Sequence, residues 1–143
     1  MKIYIASDHA AFNEKNKLAD YLRRNHEVID LGTHSAESTN YPDWAKILVE
    51  KVKAEKVPGI LLCGSGIGVS MAANRYKGIR AALCRDEDDA RMGRLHNNAN
   101  VLCLGGRKTP IELMYKISDV FLSTSFEGGR HELRVNLFNQ LGD

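Results

Sequence analysis

Short apolar runs alternate along the chain with longer segments in which apolar residues recur at helical spacing. The runs predict five strands, at residues 2 to 7, 27 to 32, 59 to 64, 80 to 84 and 100 to 106. The segments between them predict amphipathic helices. Runs without polar alternation, such as ILL in the third strand, are typical of strands buried on both faces. The pattern therefore predicts an α/β three-layer sandwich, Rossmann-like, in which helices cover both faces of a five-stranded parallel sheet.

Two more helices are predicted after the fifth strand. One covers TPIELMYKISDVFL, with Pro110 near its first turn, and the other begins within EGGRHELRVNLFNQL. The longest loop is expected at residues 33 to 42, and no linker or internal repeat divides the chain. We therefore interpret residues 1 to 143 as a single domain.

The composition is that of a soluble globular protein, with 43% hydrophobic and 27% charged residues. The formal net charge is only +2, and the 20 Lys and Arg are spread without blocks, so no nucleic-acid partner is indicated. No apolar run is long enough to span a membrane, and the first residues, MKIYIASDH, reach charge too early for a signal peptide. We expect a cytoplasmic protein with a small ligand.

The three cysteines, Cys63, Cys84 and Cys103, are odd in number and lack CxxC spacing. Each is expected at the end of an apolar strand. This pattern is typical of reduced thiols in a reducing compartment and not of a disulfide framework.

Ligands of open α/β sheets bind at the carboxyl ends of the strands, so the loops that follow the strands are where chemistry is expected. These loops read SDHAAF, GTHSAESTNYPDW, CGSGIG, CRDEDD and GGRKTP. In the third, Gly64, Gly66 and Gly68 alternate with Ser65 and Ile67. Glycine tolerates positive φ, so successive amides there can point into one concavity and bind a phosphate or a developing oxyanion. A tight turn that needs glycine only for packing is the alternative.

Cys63 directly precedes this glycine loop. A helix N-terminus favours the thiolate over the thiol, which would make Cys63 a base or a nucleophile. Taken alone, a cysteine at a strand end is more often a small core residue. A P-loop is excluded because Val69 and Ser70 follow the last glycine, and a dinucleotide-binding GxGxxG would need glycine in place of Val69. A thiol hydrolase pairing Cys63 with His9 or His96 stays open.

Basic side chains near the end of the chain favour a phosphorylated ligand. Arg130 and Arg134 are four residues apart, on one face of a predicted helix start, where two guanidinium groups could bind a phosphate. The alternative is that the two arginines are solvent-exposed and only balance the charges of Glu127 and Glu132. His9, which follows Asp8 at the end of the first strand, could add a third donor.

His96 and Asn97 are predicted at the end of the fourth helix, where helix capping is one explanation. Histidine is also the natural proton shuttle for opening a sugar ring, and an adjacent amide can bind a hydroxyl. No HExxH, paired-cysteine or clustered carboxylate spacing occurs, so no metal site is predicted.

Seven blocks of the chain, taken together, resemble the ribose-5-phosphate isomerase B family, which also holds allose-6-phosphate and galactose-6-phosphate isomerases. They are SDHAAF, DLGT, YPDWA, LCGSGIGVSMAANR, IRAALC, RLHNNANVLCLGGR and EGGRHELR, and they cover nearly the whole chain. The resemblance implies the sandwich fold, a homodimer or homotetramer with active sites shared between subunits, and no cofactor. It also implies aldose–ketose isomerisation of a sugar phosphate through a cis-enediolate.

The resemblance also implies roles for individual residues. Cys63 would be the base, since the branch that uses glutamate places it where this chain has Val69. Ser65 would shuttle protons, His96 would open the furanose ring and Asp8 and Asn97 would orient hydroxyls. The remaining expected contacts are Tyr41 near the ring, the backbone amides of Gly64, Gly66, Ile67 and Gly68 at the enediolate, and His9, Arg107, Arg130 and Arg134 at the phosphate.

The expected reaction is therefore the interconversion of D-ribose 5-phosphate and D-ribulose 5-phosphate in the pentose phosphate pathway. Two alternatives remain open at this point. One is an isomerase of a hexose 6-phosphate, such as allose or galactose 6-phosphate, and the other is a sugar-phosphate sensor without turnover.

Overall fold

All five expected strands are present in the computed structural model, which describes residues 1–142. The strands are β1 Lys2–Ser7, β2 Glu27–Gly32, β3 Gly59–Cys63, β4 Ala81–Leu83 and β5 Val101–Gly105. Every neighbouring pair is parallel, and the order across the sheet is β2-β1-β3-β5-β4. The predicted five-stranded parallel sheet is therefore confirmed.

Helices cover both faces of this sheet, as predicted. They are α1 Phe12–Leu22, α2 Tyr41–Glu55, α3 Ile67–Ala73, α4 Glu87–Asn97, α5 Ile111–Ser123 and α6 Arg130–Leu137. Side chains alternate between the faces along each strand. Ile3 and Ile5 of β1 pack with α1, α4 and α5 in one buried cluster. Tyr4 and Ala6 pack with α2 and α3 in the other.

The acidic segment CRDEDD, which was expected as a ligand loop, instead begins α4. The side chain of Asp86 caps this helix by accepting the amide of Asp89 at 2.7 Å. Glu87 and Asp88 also lie in the first turn, where carboxylates are favoured by the helix dipole. These acidic residues are explained by helix initiation.

The strand order reverses between β1 and β3, and such a point leaves a crevice at the carboxyl ends of the two strands. Asp8 follows β1 there, and Cys63 is the last residue of β3. The fold thus places the cysteine loop where parallel sheets bind ligands. Within residues 1–142, no helix combines the length and the apolar character that crossing a membrane requires.

Candidate active site

The three alternating glycines after β3 differ in conformation and in surroundings. Only Gly66 has a positive φ, of 78°, and a Cβ on it would lie 2.8 Å from the backbone carbon of Leu104. Gly68 already belongs to α3, and a Cβ on it would lie 2.6 Å from the ring of Tyr41. A Cβ on Gly64 would make only ordinary contacts, the nearest at 3.4 Å from Arg107. Of these three positions, only Gly66 thus uses the tolerance of glycine for positive φ.

The sulfur of Cys63 faces the loop amides, although the residue itself is only 5% exposed. Its Sγ accepts a hydrogen bond from the amide of Gly66 at 3.2 Å. An N–H donor stabilises a thiolate more than a thiol. The backbone of Cys63 also accepts the amide of Gly106 at 2.8 Å, so β5 holds this strand end in place.

The other two cysteines lie in environments that keep them protonated. Burial, and then the carboxylates of Asp89 and Asp86, raise the pKa of Cys84 to about 12. Burial raises the pKa of Cys103 well above its ordinary value. Cys103 lies in the middle of β5 and not at a strand end, which corrects the expectation from sequence. All three cysteines are free, as expected.

The amides of the glycine loop are divided between two uses. Gly66 donates to Cys63 Sγ, and the amide of Ile67 donates to Ser65 Oγ at 3.1 Å. Within the described part of the chain, the amides of Gly64, Ser65 and Gly68 donate to no protein acceptor. Of the four amides expected at the enediolate, two are therefore used within the loop, and those of Gly64 and Gly68 remain for a ligand together with that of Ser65.

Four more of the expected site residues surround this loop. Asp8 is buried and accepts the amide of Ala10 at 3.0 Å through one carboxylate oxygen. His9 Nδ1 accepts the amide of Thr39 at 3.1 Å, which leaves the ring proton on Nε2 as a donor. Tyr41 packs on Gly68, and the Arg107 side chain lies beside Gly64. We call Asp8, His9, Tyr41, residues 63–68 and Arg107 the thiol half-site.

The remaining expected residues lie together elsewhere. His96 and Asn97 end α4, and Arg130 and Arg134 lie one turn apart on α6, both exposed. Neither arginine forms an ion pair with Glu127 or Glu132 within residues 1–142. The amide of Glu127 donates to the carbonyl of Leu95 at 3.1 Å and ties the start of α6 to the end of α4. We call His96, Asn97, Arg130 and Arg134 the histidine half-site.

The two half-sites of one chain lie at opposite edges of the sheet. Cys63 pairs with Gly105, the last residue of β5, whereas α4 runs back to the other edge and ends before Val101, the first residue of β5. From Gly105 to Val101 the sheet spans roughly 13 Å. A thiol and an imidazole that act on neighbouring atoms of one sugar must lie closer than that. The structure therefore does not bring Cys63 and His96 of one chain together.

Sequence reasoning missed two residues beside the histidine half-site, His131 and Glu127. The ring of His131 stacks on that of His96, with centroids 4.2 Å apart and planes 17° apart. Glu127 Oε2 lies 3.7 Å from His96 Nε2 and 3.8 Å from His131 Nε2. Spacing in the sequence offers no signal for this cluster, because α6 follows α4 only after β5 and α5.

Two cavities, of about 580 and 880 Å³, lie at the edge of the sheet where the strands begin. Gly78, Arg80 and Ala99 line both of them, and Asn97 lines the larger. Cys63 lines neither cavity.

Comparisons with known proteins agree on one family. A sequence model described as Ribose/Galactose Isomerase matches residues 3–138. Ribose-5-phosphate isomerase B of Escherichia coli K12 is 43% identical over 136 residues, which cover 94% of this chain and 91% of that protein. A crystal structure of ribose 5-phosphate isomerase from Thermotoga maritima is 54% identical, with a TM-score of 0.96 and 98% of each chain covered. Ribose-5-phosphate isomerase B of Mycoplasma genitalium, crystallised with bound ribulose-5-phosphate, is 42% identical, with a TM-score of 0.93 over 97% of this chain and 94% of that one.

Proposed function

The chain belongs to the Ribose/Galactose Isomerase family, and we propose that it interconverts D-ribose 5-phosphate and D-ribulose 5-phosphate with Cys63 as the base. The observation that carries this proposal is the Sγ of Cys63, which accepts an amide at 3.2 Å beside loop amides that have no protein acceptor. A base next to unused donors is the arrangement that forming an enediolate requires. The three free cysteines fit the reducing conditions of the cytoplasm.

The reaction moves one proton between two carbons of the open-chain sugar. The Cys63 thiolate removes the proton from C2 of the aldose, and the C–H electron pair becomes the C1–C2 double bond while O1 takes the negative charge. The thiol then returns its proton to C1, and the proton of the O2 hydroxyl moves to O1. Ser65 Oγ accepts the amide of Ile67, so its own hydroxyl proton is free to serve this exchange between the two oxygens.

Stabilisation of the enediolate supplies most of the rate in this scheme. Amides held by the backbone donate to the negative oxygen without reorganising, and removing one such donor typically costs about 10²–10³ in kcat. The amides of Gly64, Ser65 and Gly68 are the available donors, while Gly66 donates to the sulfur of Cys63. One loop amide thus stabilises the thiolate before proton transfer, and the other amides stabilise the enediolate that proton transfer forms.

The rest of the substrate is assigned to side chains of both half-sites. His9, through Nε2, and Arg107 bind the phosphate from the thiol half-site, and Arg130 and Arg134 bind it from the histidine half-site. Asp8 and Asn97 orient hydroxyl groups, and Tyr41 lies near the ring. His96 carries the proton that opens the furanose.

A second copy of the chain completes each site in this proposal. Cys63 and His96 of one chain lie at opposite edges of the sheet, yet they act on one pentose, so the two side chains must come from different subunits. An interface with two-fold symmetry supplies this pairing twice, because each contact between two patches recurs with the chains exchanged. The homodimer therefore contains two complete sites.

Exposed apolar side chains lie beside both half-sites and support this interface. On α3, Ile67 and Met71 are four residues apart and 48% and 67% exposed. On α6, Leu133 and Leu137 repeat the same spacing and are 69% and 46% exposed. Apolar patches of this kind mark protein interfaces more often than free surface. A homodimer that joins unlike half-sites would cover both patches.

Mixing two inactive variants tests the shared site. We expect Cys63→Ala and His96→Ala homodimers each to turn over ribose 5-phosphate slowly. In a mixed dimer, one site carries both substitutions and the other carries neither. After subunit exchange in equal amounts, the mixture should recover about a quarter of the wild-type rate, because half of the dimers are mixed and each has one intact site. No recovery, with exchange shown by differently tagged subunits, would contradict the shared site.

An assay panel tests the substrate. Ribose, allose and galactose phosphates are compared by kcat/KM at one pH and ionic strength. We expect ribose 5-phosphate to be the best substrate. A preference for a hexose 6-phosphate would instead establish the alternative within the family, and binding of ribose 5-phosphate without turnover would establish a sensor.

A further inference from the structure

We infer that His131 and Glu127 are positioning residues for His96 and hold its imidazole in the orientation that opens the sugar ring. This inference rests on the role proposed above for His96. Opening the furanose breaks the C1–O4 bond, places a proton on O4 and removes one from the C1 hydroxyl, so the donor nitrogen must be aimed at O4. An exposed histidine without neighbours would lose rotamer freedom in reaching that orientation.

The stack on His131 fixes the plane of the His96 ring. The two rings are nearly parallel, with centroids 4.2 Å apart. His131 is 7% exposed, whereas the side chain of His96 is 37% exposed, so one ring is anchored and the other presents a free face. A buried flat ring beneath an exposed one restricts the rotation of the exposed ring without covering its outer face.

Local backbone structure holds His131 in this place. Gly128 and Gly129 have φ values of 72° and 56° and turn the chain directly into α6, which begins with Arg130. No atom lies within 4 Å of a Cβ built on either glycine, so these positions require glycine for conformation and not for space. Because Glu127 is also hydrogen-bonded to Leu95 through its amide, the stacked ring is fixed relative to the helix that carries His96.

The surroundings of His131 disfavour a proton on this ring. Burial, followed by the neighbouring His96 and Arg130, lowers the pKa of His131, and Arg134 acts in the same direction, while Glu127 opposes them. Two protonated imidazoles 4.2 Å apart would also repel each other. The protonated form of His131 is therefore disfavoured, and the carboxylate of Glu127 lies 3.7 Å from His96 Nε2, beside the nitrogen whose direction matters.

His96, Glu127 and His131 are also candidate metal ligands, because their ligand atoms lie within 4.8 Å of one another. The stacked geometry of the two imidazoles does not suit metal binding. Imidazole lone pairs lie in the ring plane, so two nearly parallel rings aim them side by side and not at a common point. Arg130 and Arg134 add positive charge next to the cluster. His131 Nε2 is buried without a hydrogen-bond partner in residues 1–142, which fits a ring kept for its face.

Variants of the buried ring test the positioning role. His131→Ala removes the stack, and His131→Phe keeps a flat ring while removing both nitrogens. We expect kcat for ribose 5-phosphate to fall about 10- to 100-fold in His131→Ala, with KM little changed, and to recover most of that loss in His131→Phe. Glu127→Gln keeps the shape of the side chain that lies 3.7 Å from His96 Nε2 but removes its charge, and kcat should fall less than in His131→Ala, with KM little changed.

Deuterium exchange separates this role from a structural one. Ribulose 5-phosphate has no furanose to open, because its O5 carries the phosphate, so exchange of its C1 hydrogen with solvent needs Cys63 but not His96. His131→Ala and His96→Ala should both retain this exchange. Its loss in His131→Ala alone, or equal kcat values for His131→Ala and His131→Phe with unchanged melting temperatures, would overturn the inference.

Two further controls keep the outcomes distinct. If His96→Ala turns over ribose 5-phosphate at the wild-type rate, the proposed role of His96 fails; if only His96→Ala is impaired and His131→Ala is not, the positioning inference alone fails. Zn²⁺ is titrated into the wild-type protein and His131→Phe as the metal probe. Binding that His131→Phe abolishes would show a metal site and overturn the positioning role. If His131→Ala does not fold, His131→Phe and Glu127→Gln still decide the matter, because near wild-type kcat is expected for the first and a lower kcat with little change in KM for the second.

Discussion

The thiol half-site and the histidine half-site serve one proposed reaction, but they are built differently. The centre of the first is backbone and a short side chain at the end of β3, where Cys63 is 5% exposed and main-chain bonds from the end of β5 hold the loop. The second consists of side chains at helix ends, with both arginines exposed. The proposed enediolate chemistry thus lies at the carboxyl edge of the sheet, and the group proposed to open the sugar lies at the end of a helix.

This difference indicates which properties each region needs. Stabilising a developing charge requires donors that do not move, and buried backbone supplies them at no cost in side-chain entropy. Binding a mobile phosphate tolerates flexible guanidinium groups, provided that something else holds the one group whose direction matters. In the histidine half-site, the His131 stack would be that support for His96.

The largest expected effect tests the claim that the thiol half-site performs the proton transfer. Replacing Cys63 with alanine removes the base, and we expect kcat to fall by about 10²- to 10⁴-fold. Cys84→Ala is the matched control, since its thiol is buried with a pKa of about 12 and should not contribute to turnover. Steady-state rates with ribose 5-phosphate provide the measurement. Equal losses in both variants would mean that the cysteines act through packing.

A second comparison asks whether the phosphate lies where the two half-sites meet. Arg107→Gln changes the thiol half-site, and Arg130→Gln changes the histidine half-site. A charge-assisted hydrogen bond contributes about 1.5–3 kcal/mol, so each variant should raise KM roughly 10- to 100-fold while leaving kcat nearly unchanged. Arg23→Gln, remote and already paired with Asp20, serves as the control. An increase in only one of the two variants would assign the phosphate to one half-site.

Sequence reasoning was also more successful for the thiol half-site than for the histidine half-site. The strands, the glycine loop and Cys63 are contiguous in the sequence, so local patterns predict them and their position at the carboxyl edge. The histidine half-site joins α4 to α6 across β5 and α5, and its separation from Cys63 depends on the direction in which α4 runs. The resemblance implies a shared site, and the topology adds a physical argument for the proposed second subunit.

Local patterns also misassigned some residues, for identifiable reasons. Alternating glycines suggested successive amides that all face one concavity, whereas two of these amides donate within the loop and Gly68 makes room for Tyr41. An acidic run suggested a ligand loop, whereas Asp86 caps a helix. In each case a neighbour distant in sequence, or the start of a helix, explains the residue.

A smaller effect separates conformation from space in the glycine loop. Gly66 and Gly78 have similar φ values, 78° and 85°, but a Cβ on Gly66 would meet the backbone of Leu104 at 2.8 Å, whereas the nearest atom to Gly78 would be 3.8 Å away. We expect Gly78→Ala to lower the free energy of unfolding by about 1–2 kcal/mol through backbone strain alone. Gly66→Ala should lower the free energy of unfolding by more, because the backbone atoms of Leu104 cannot move aside. Urea unfolding at equal protein concentration measures both free energies. Equal losses would show that the loop shifts to make room for the added methyl group.

The smallest expected effect concerns how His131, beside the histidine half-site, changes the stability of the protein in acid. The pKa of His131 is lowered below its ordinary value of 6.5, chiefly by burial, so the unfolded chain binds the proton first. The stability that neutral His131 contributes is therefore complete above pH 6.5 and is lost as the pH falls through its lower folded value. His131→Phe should show a smaller fall in melting temperature on acidification than the wild type. Replacing exposed His34 with glutamine should not, and His26, whose pKa burial also lowers, acts equally in all three proteins. Parallel melting curves for His131→Phe and the wild type would show that the buried ring takes up a proton as easily as a free one, and the argument that burial disfavours a proton on His131 would then fail.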